Sequence, residues 1–178
     1  MTVALNLKTR GMDNIPDLLQ KRAIFYQKVH ELNQAFKFYD PRIRCEILKI
    51  FGTSFYGSML WSLFSDEHLK LNRSWNTAVK MIWDLPIPTH KRFVESLTNV
   101  PHLQSTLHGR YIGFLKSLQE SLKPQMTMLI NYCVSNQNSN TGKNIEYLLT
   151  LYQKGSVSSL IDSKFDIKRT RVSLLLEN

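Results

Sequence analysis

The sequence predicts an all-α protein, an irregular bundle of six to eight helices with at most one short N-terminal strand. Apolar residues recur at three-, four- and seven-residue spacing through most of the 178 residues, and this is the period of an amphipathic helix. Prolines and polar clusters divide the pattern into segments of helical length. Alternation typical of a strand is confined to Val3, Leu5 and Leu7, which predicts no more than a fragment of sheet.

The first helix is predicted from about Ile15 to Phe38. Asn14 is a suitable N-cap, and Pro16 suits the first helical turn because its missing N–H would have no partner there. The apolar residues of this segment share one helix face, the stripe formed by Leu18, Phe25, Val29, Leu32 and Phe36. We expect that stripe to face the core.

A second helix is predicted from about Arg42 to Leu63, because apolar residues recur there at four-residue spacing. It contains the stretch "FYGSMLW", residues 55–61, whose Phe55, Leu60 and Trp61 are expected in the core. Gly52 and Gly57 interrupt the run, and glycine costs about 1 kcal/mol relative to alanine inside a helix. A kink or the close approach of another backbone would explain them, and we expect a close approach at Gly57.

Further helices are predicted along the rest of the chain. Ser65 and Asp66 can cap a third helix that continues to Trp83, and prolines at 86 and 88 then stop it. Thr89 is the expected cap of a short helix containing Phe93, Val94 and Leu97. Longer apolar patterns predict helices over 103–122 and 126–134, the polar segment 135–144 reads as a loop, and a last helix is expected over 145–152.

This pattern divides the chain into three parts. Residues 1–12 form a strand-like remnant or tail, 13–153 a helical domain, and 154–178 a basic C-terminal tail. There is no apolar stretch of membrane-spanning length and no signal-peptide pattern. The expected location is therefore intracellular, in the nucleus or cytoplasm, with no membrane partner.

The charge balance indicates the class of partner. Twenty-three Lys and Arg oppose fourteen Asp and Glu, giving a net charge of +9 and a pI near 9.6. Such an excess favours a polyanion, and nucleic acid is the commonest one. The alternative is a basic protein without such a partner.

No sequence motif indicates catalysis, a cofactor or a metal. The five histidines lack HExxH spacing, and phosphate-loop, dinucleotide and nucleophile-elbow patterns are missing. Polymerase chemistry needs two close carboxylates, and Asp40 in "FYDP" has no second Asp beside it. The pair Asp66–Glu67 lies at a predicted helix start, where acids favour the helix dipole. We therefore predict no catalytic residue, no metal site and no cofactor.

Basic residues spread over the helices are the candidate nucleic-acid contacts. Each could follow a phosphate backbone or could simply lie in a solvated face. Helix N-terminal amides after Thr89, together with the two basic residues that follow His90, would form an anion site. The candidates are Lys21, Arg22, Lys28, Lys80, Lys91, Arg92 and Arg110.

Several ordered motifs resemble a known family. These are "FYGSMLW", "WNTAVKMIWDLPIPTH" over 75–90 and "GRYIGFLKSL" over 109–118. In this order and spacing they resemble the region after the polymerase core in LINE-type non-LTR retrotransposon reverse transcriptases. Residues 17–36 are similar to that family's thumb helix, and 139–148 fit its tail. The motif residues, to which we assign structural roles, are Phe55, Tyr56, Gly57, Trp61, Trp75, Pro86, Thr89 and His90.

The resemblance implies a function for residues 13–153. In such enzymes this region is the helical thumb and the segment after it, and the thumb packs on the primer–template duplex, while fingers, palm and endonuclease lie elsewhere. The basic position after Trp75–Asn76 is often Arg in the family and is Lys80 here, so a bidentate contact becomes a point charge. The resemblance implies a fragment that is not an enzyme by itself and that binds an RNA or DNA primer–template.

Two other interpretations remain open from the sequence. The isolated domain could be a protein–protein interaction or self-association module, because loss of a palm would expose an apolar patch. That palm itself would then be a possible partner. The chain could also be a coding relic with no independent activity.

Overall fold

A computed structural model describes residues 15–121, 124–136 and 138–163, and these residues are all-α as predicted. They form eight α-helices and no strand. The predicted N-terminal strand and most of the basic tail, including Lys164, Lys168, Arg169 and Arg171, lie outside the described residues. The helices are α1 (Ile15–Ala35), α2 (Pro41–Ile47), α3 (Asp66–Ile82), α4 (Lys91–Thr98), α5 (Leu103–Gln119), α6 (Pro124–Ser135), α7 (Asn140–Leu151) and α8 (Val157–Asp162).

Helix α1 confirms four of the five residues of the first predicted stripe, whereas Phe36 is half-buried beyond the helix and the predicted end at Phe38 is wrong. Its buried side chains are Leu18, Phe25, Val29 and Leu32, and it packs along α3. The helix ends at Ala35, where Phe36 and Tyr39 form a turn with ring centroids 5.4 Å apart. The first core therefore forms between two helices that are distant in sequence.

The predicted second helix over 42–63 is wrong. Asp40 caps α2 by accepting from the Arg42 amide at 2.7 Å, but α2 ends at Ile47 and continues as a π-helical turn, Leu48–Gly52. Residues 53–57 are irregular, and a short 3₁₀ turn follows at Ser58–Leu60. The Thr53 hydroxyl donates to the Lys49 carbonyl, which competes with continued helix.

The two glycines of this segment have different roles. Gly57 has φ of 82°, and nothing lies within 4 Å of a Cβ placed there, so the predicted close approach at Gly57 is wrong. It is instead the left-handed residue that turns the loop. Close packing occurs at Gly52, where a Cβ would lie 2.8 Å from Leu48 Cδ1 and 3.4 Å from Phe25 Cε2.

The stretch 55–61 is only partly core. Phe55 and Trp61 are buried as predicted, but Leu60 is 59% exposed, so its assignment to the core is wrong. Outside a continuous helix, the four-residue periodicity no longer decides which side chains face inward. The buried rings form a chain with Phe25, whose centroid lies 6.4 Å from Phe55 and 6.0 Å from Trp75.

Helix α3 begins as the sequence predicts. Ser65 caps it by accepting from the His68 amide at 3.2 Å, and Asp66 and Glu67 occupy the first turn. Helix α4 departs in detail, because His90 rather than Thr89 is its N-cap. The Thr89 amide donates to the Pro86 carbonyl at 3.0 Å in the preceding turn, so Thr89 belongs to that turn.

The second half packs around α5. Part of the predicted loop 135–144 is helical, because Ser139 caps α7 by accepting from the Gly142 amide at 2.9 Å. Within the predicted tail, α8 buries Leu160 and Ile161 against α5 and α7. One core cluster joins α1, α3, α4 and the start of α5, and a second joins α5, α7 and α8. Among the described helices, none is long and apolar enough to span a membrane.

Candidate nucleic-acid interface

A groove lies between residues 53–59 and one face of α5, with a cavity volume of about 1010 Å³. One wall carries most of the "FYGSMLW" stretch, and the other carries Gly109, Arg110, Gly113 and Phe114 from "GRYIGFLKSL". Two motifs that are about fifty residues apart in the chain therefore meet at one surface feature. We refer to this feature as the groove.

The loop wall is held at both ends. At its start, the Phe55 amide donates to the Thr53 carbonyl at 2.7 Å, and the buried Phe55 ring packs 5.5 Å from Trp61. Beyond its end, the buried Asn144 of α7 accepts from the Leu63 amide at 2.9 Å and donates to the Trp61 carbonyl at 2.7 Å. Between these anchors the chain turns at Gly57.

Tyr56 lies on the rim of the groove and is 91% exposed. Its neighbour Phe55 is buried. Residues 54 and 55 have no regular secondary structure and residues 56 and 57 form a turn, so the two side chains need not share one helix face. The sequence assigned Tyr56 a structural role as part of the motif. Its exposure leaves nearly the whole ring available to a ligand.

Small residues form the α5 side of the groove. Ser105, Gly109, Gly113 and Ser117 follow each other at four-residue spacing and so share one helix face. Ser105 is only 3% exposed, and its hydroxyl has no hydrogen-bond partner among the described residues. Ser105 and Gly109 are buried, whereas Gly113 is half-buried and Ser117 is exposed, so a ligand can approach the backbone of α5 most closely at Gly113 and Ser117.

Arg110 supplies the positive charge of the groove. Its Nη1 donates to the Thr53 carbonyl at 2.7 Å, and its Nη2 lies 3.3 Å from Thr53 Oγ1. No carboxylate of the described residues pairs with it in an ion pair. Partial burial lowers the pKa of the guanidinium, which nevertheless stays charged. Since a guanidinium has five N–H donors, Thr53 leaves several of them for an anion.

The other predicted basic residues lie outside the groove. Arg22 contacts Glu67 at 3.5 Å, Lys28 contacts Glu31 at 3.3 Å, and Lys80 donates to the Ile87 carbonyl at 2.6 Å. Lys21 is half-buried on α1. Of the seven candidates, Arg110 alone is among the described residues that line the groove.

At the start of α4, where an anion site was predicted, a side chain already accepts from one of the helix N-terminal amides. Lys91 and Arg92 form the first turn of α4, but the His90 side chain accepts from the Arg92 amide at 3.4 Å. One of the amides that would bind an anion is therefore engaged. The side chains of these two residues stay candidates for contacts with the phosphate backbone of a nucleic acid.

The remaining motif residues have structural positions. Trp61 Nε1 donates to Asp17 Oδ2 at 2.6 Å and ties the motif to α1. Trp75 Nε1 donates to the Pro101 carbonyl at 3.2 Å, ahead of α5. Pro86, Thr89 and His90 build the connection between α3 and α4.

Sequence reasoning missed a buried polar seam between α3 and α5. His68, His102 and His108 are each at most 4% exposed, and we call these three residues the histidine seam. Burial lowers the pKa of His68 and of His102 to about 4 and that of His108 to about 3. His68, Asn72 and Asn76 recur at four-residue spacing and so share one face of α3. This spacing was the sequence pattern from which a polar helix face could have been predicted.

The seam is partly hydrogen-bonded. His102 Nε2 lies 3.1 Å from Asn76 Nδ2, and His108 Nδ1 lies 2.9 Å from the Tyr152 hydroxyl. Both ring nitrogens of His68 lack a partner among the described residues. No group of His, Cys, Asp or Glu in that part of the chain has the arrangement of a metal site. We interpret the seam as neutral interior packing that joins α3, α5 and α7.

Comparison of the chain with protein-family models, with curated proteins and with solved structures found no match. The resemblance to the region after a retrotransposon polymerase core therefore stays a prediction based on the motifs.

Proposed function

We propose that this chain is a non-catalytic nucleic-acid-binding module that contacts an RNA or DNA primer–template. The observation that carries the proposal is the groove. It combines a guanidinium without a carboxylate partner among the described residues, an exposed aromatic ring and a floor of small side chains. Proteins that bind nucleic-acid strands combine positive charge with aromatic rings in this way.

The overall charge supports the same proposal. The net charge of +9 favours association with a polyanion. Basic side chains outside the groove, on α1, α3 and α4, could follow the phosphates of an adjoining duplex. The motif resemblance adds the expectation that the ligand is a primer–template, which has both a duplex and an unpaired template strand.

Binding of a fluorescent primer–template with an unpaired overhang tests the proposal. The apparent Kd should rise steeply between about 50 mM and about 200 mM salt, because displaced counterions drive association. A peptide nucleic acid of the same base sequence, which has no phosphates, is the matched ligand control and should not bind. Failure to detect salt-sensitive binding at micromolar protein in low salt would overturn the proposal.

A second candidate function is self-association through apolar helix faces. Helix α6 buries only Ile130, while Met128 is 71% and Tyr132 is 64% exposed. Patches of this kind can mark protein interfaces. Sizing by light scattering tests the alternative, since a dimer that persists after nuclease treatment and is lost in Met128→Gln would favour it.

A further inference from the structure

We propose that the groove holds an unpaired strand of RNA or DNA, with one base stacked on Tyr56 and a neighbouring phosphate on Arg110. This inference rests on the proposed function and names the part of the primer–template that the groove takes. It depends on the accessibility of one ring, the position of one cation and the shape of the α5 face.

The Tyr56 ring favours an unpaired base. Inside a duplex, each base is covered on both faces by its neighbours, so a protein ring can stack only on a base that has left the helix. Tyr56 is 91% exposed at the rim, and Gly57 beside it has no side chain to block the approach. Base–aromatic stacking of this kind tolerates any base, because every base has a π-face.

Arg110 is an exposed residue that lines the groove, and its guanidinium is held there by Thr53. Its two contacts to Thr53 fix its orientation and leave further N–H donors for an anion. A phosphate held at this position would lie against the floor formed by Ser105, Gly109 and Gly113.

The size of the groove supports a segment of strand over a single small ligand. Its cavity volume of about 1010 Å³ is at the upper limit of pockets that enclose a small molecule, roughly 300–1,000 Å³. The groove extends along α5 from Ser105 to Ser117, a distance of three turns or about 18 Å at 1.5 Å per residue. That length accommodates several nucleotides.

Fluorescence anisotropy with the full chain tests the inference. The probes are a short labelled oligouridylate and a blunt duplex of the same length. We expect tighter binding of the oligouridylate, and Tyr56→Ala should weaken it roughly 5–150-fold, which corresponds to the loss of one stacked base. Tyr56→Phe keeps the ring and should bind like the unmodified chain, and so should Phe38→Ala, which removes a 95%-exposed ring outside the groove.

A second readout locates the strand. An oligouridylate carrying 5-iodouridine should photo-cross-link to the peptide that contains Tyr56, and mass spectrometry identifies that peptide. Equal binding of oligouridylate by Tyr56→Ala and the unmodified chain would overturn the inference, and so would cross-links confined to other helices. Salt-sensitive binding of the duplex in that same experiment would leave the proposed function standing, whereas no binding of either probe would overturn both.

Discussion

The guanidinium of Arg110 on α5 donates to the backbone carbonyl of Thr53 at 2.7 Å, and both residues line the groove. This contact joins residues that are 57 positions apart and sets the distance between the two walls. It also keeps a positive charge at a place where no carboxylate of the described residues pairs with it, so that a ligand can supply the opposite charge. Arg110 therefore both shapes the groove and provides a charge for binding.

Arg110→Gln should weaken binding of a short single-stranded oligonucleotide roughly 10-fold or more, because charged hydrogen bonds contribute about 1.5–3 kcal/mol. The slope of log K against log salt should become shallower by about 0.7, the value for one phosphate of a single strand. Salt titrations by anisotropy measure both quantities. Lys37→Gln removes the same charge outside the groove and serves as the control. An unchanged slope in Arg110→Gln would remove Arg110 from the interface.

Lys91→Glu combined with Arg92→Glu should weaken binding of a duplex while leaving the melting temperature unchanged. The two residues form the first turn of α4, where negative side chains suit the helix dipole. Duplex binding and thermal unfolding of the same preparations check the two halves of the prediction. The matched control is Lys37→Glu with Lys143→Glu, which changes the net charge equally. Equal binding by both double variants would assign Lys91 and Arg92 to a solvated face.

The helix content could be predicted from sequence because the long apolar stripes, as in α1 and α5, repeat with the helical period over several turns. The break at residues 48–60 could not, because Phe55, Met59 and Leu60 keep helical spacing there although the helical segment stops before Thr53 and the chain turns at Gly57. A single side-chain hydrogen bond and one left-handed residue outweighed the periodicity.

Candidate site residues were predicted less well for a related reason. Charge identified Arg110 but could not separate it from Arg22, whose partner Glu67 is 45 positions away and meets it only in the folded chain. The partner of Lys28 is Glu31, three residues further along the same helix. The contact between Arg110 and Thr53 is visible only once α5 packs beside the loop. The outward direction of Tyr56 likewise depends on the loop that replaces the predicted helix.

Gly57→Ala should destabilise the fold by about 1–2 kcal/mol, the cost of a left-handed conformation for a residue with a Cβ. Open space around the site excludes a steric clash as the cause. Gly57→Asn should cost less, because asparagine adopts this conformation more readily. Urea unfolding followed by tryptophan fluorescence measures the difference. Gly155→Ala also meets no atom within 4 Å, and because φ there is not left-handed it should stabilise the fold by about 0.4–1 kcal/mol through the unfolded chain.

The histidine seam makes stability depend on pH. The pKa values of His68, His102 and His108 lie below the usual 6.5, first because of burial and then through neighbouring positive charge, which includes Lys91 at His102. The unfolded chain therefore binds more protons than the folded chain below about pH 6.5. The contribution of the seam to stability should be constant above about pH 7 and should fall as the pH drops towards about 4, where the folded histidines also begin to protonate.

Between about pH 7 and about pH 5, each histidine of the seam should remove about 2 kcal/mol from the free energy of unfolding. His68→Leu should reduce this loss, since it removes two buried nitrogens that have no partner among the described residues. It should also be neutral or stabilising at about pH 7, because an apolar group then replaces an unsatisfied polar one. Urea unfolding across this pH range measures the slope, and His30→Leu on the exposed surface of α1 is the control. If His68→Leu leaves the slope unchanged, His68 does not contribute to the acid sensitivity of the fold.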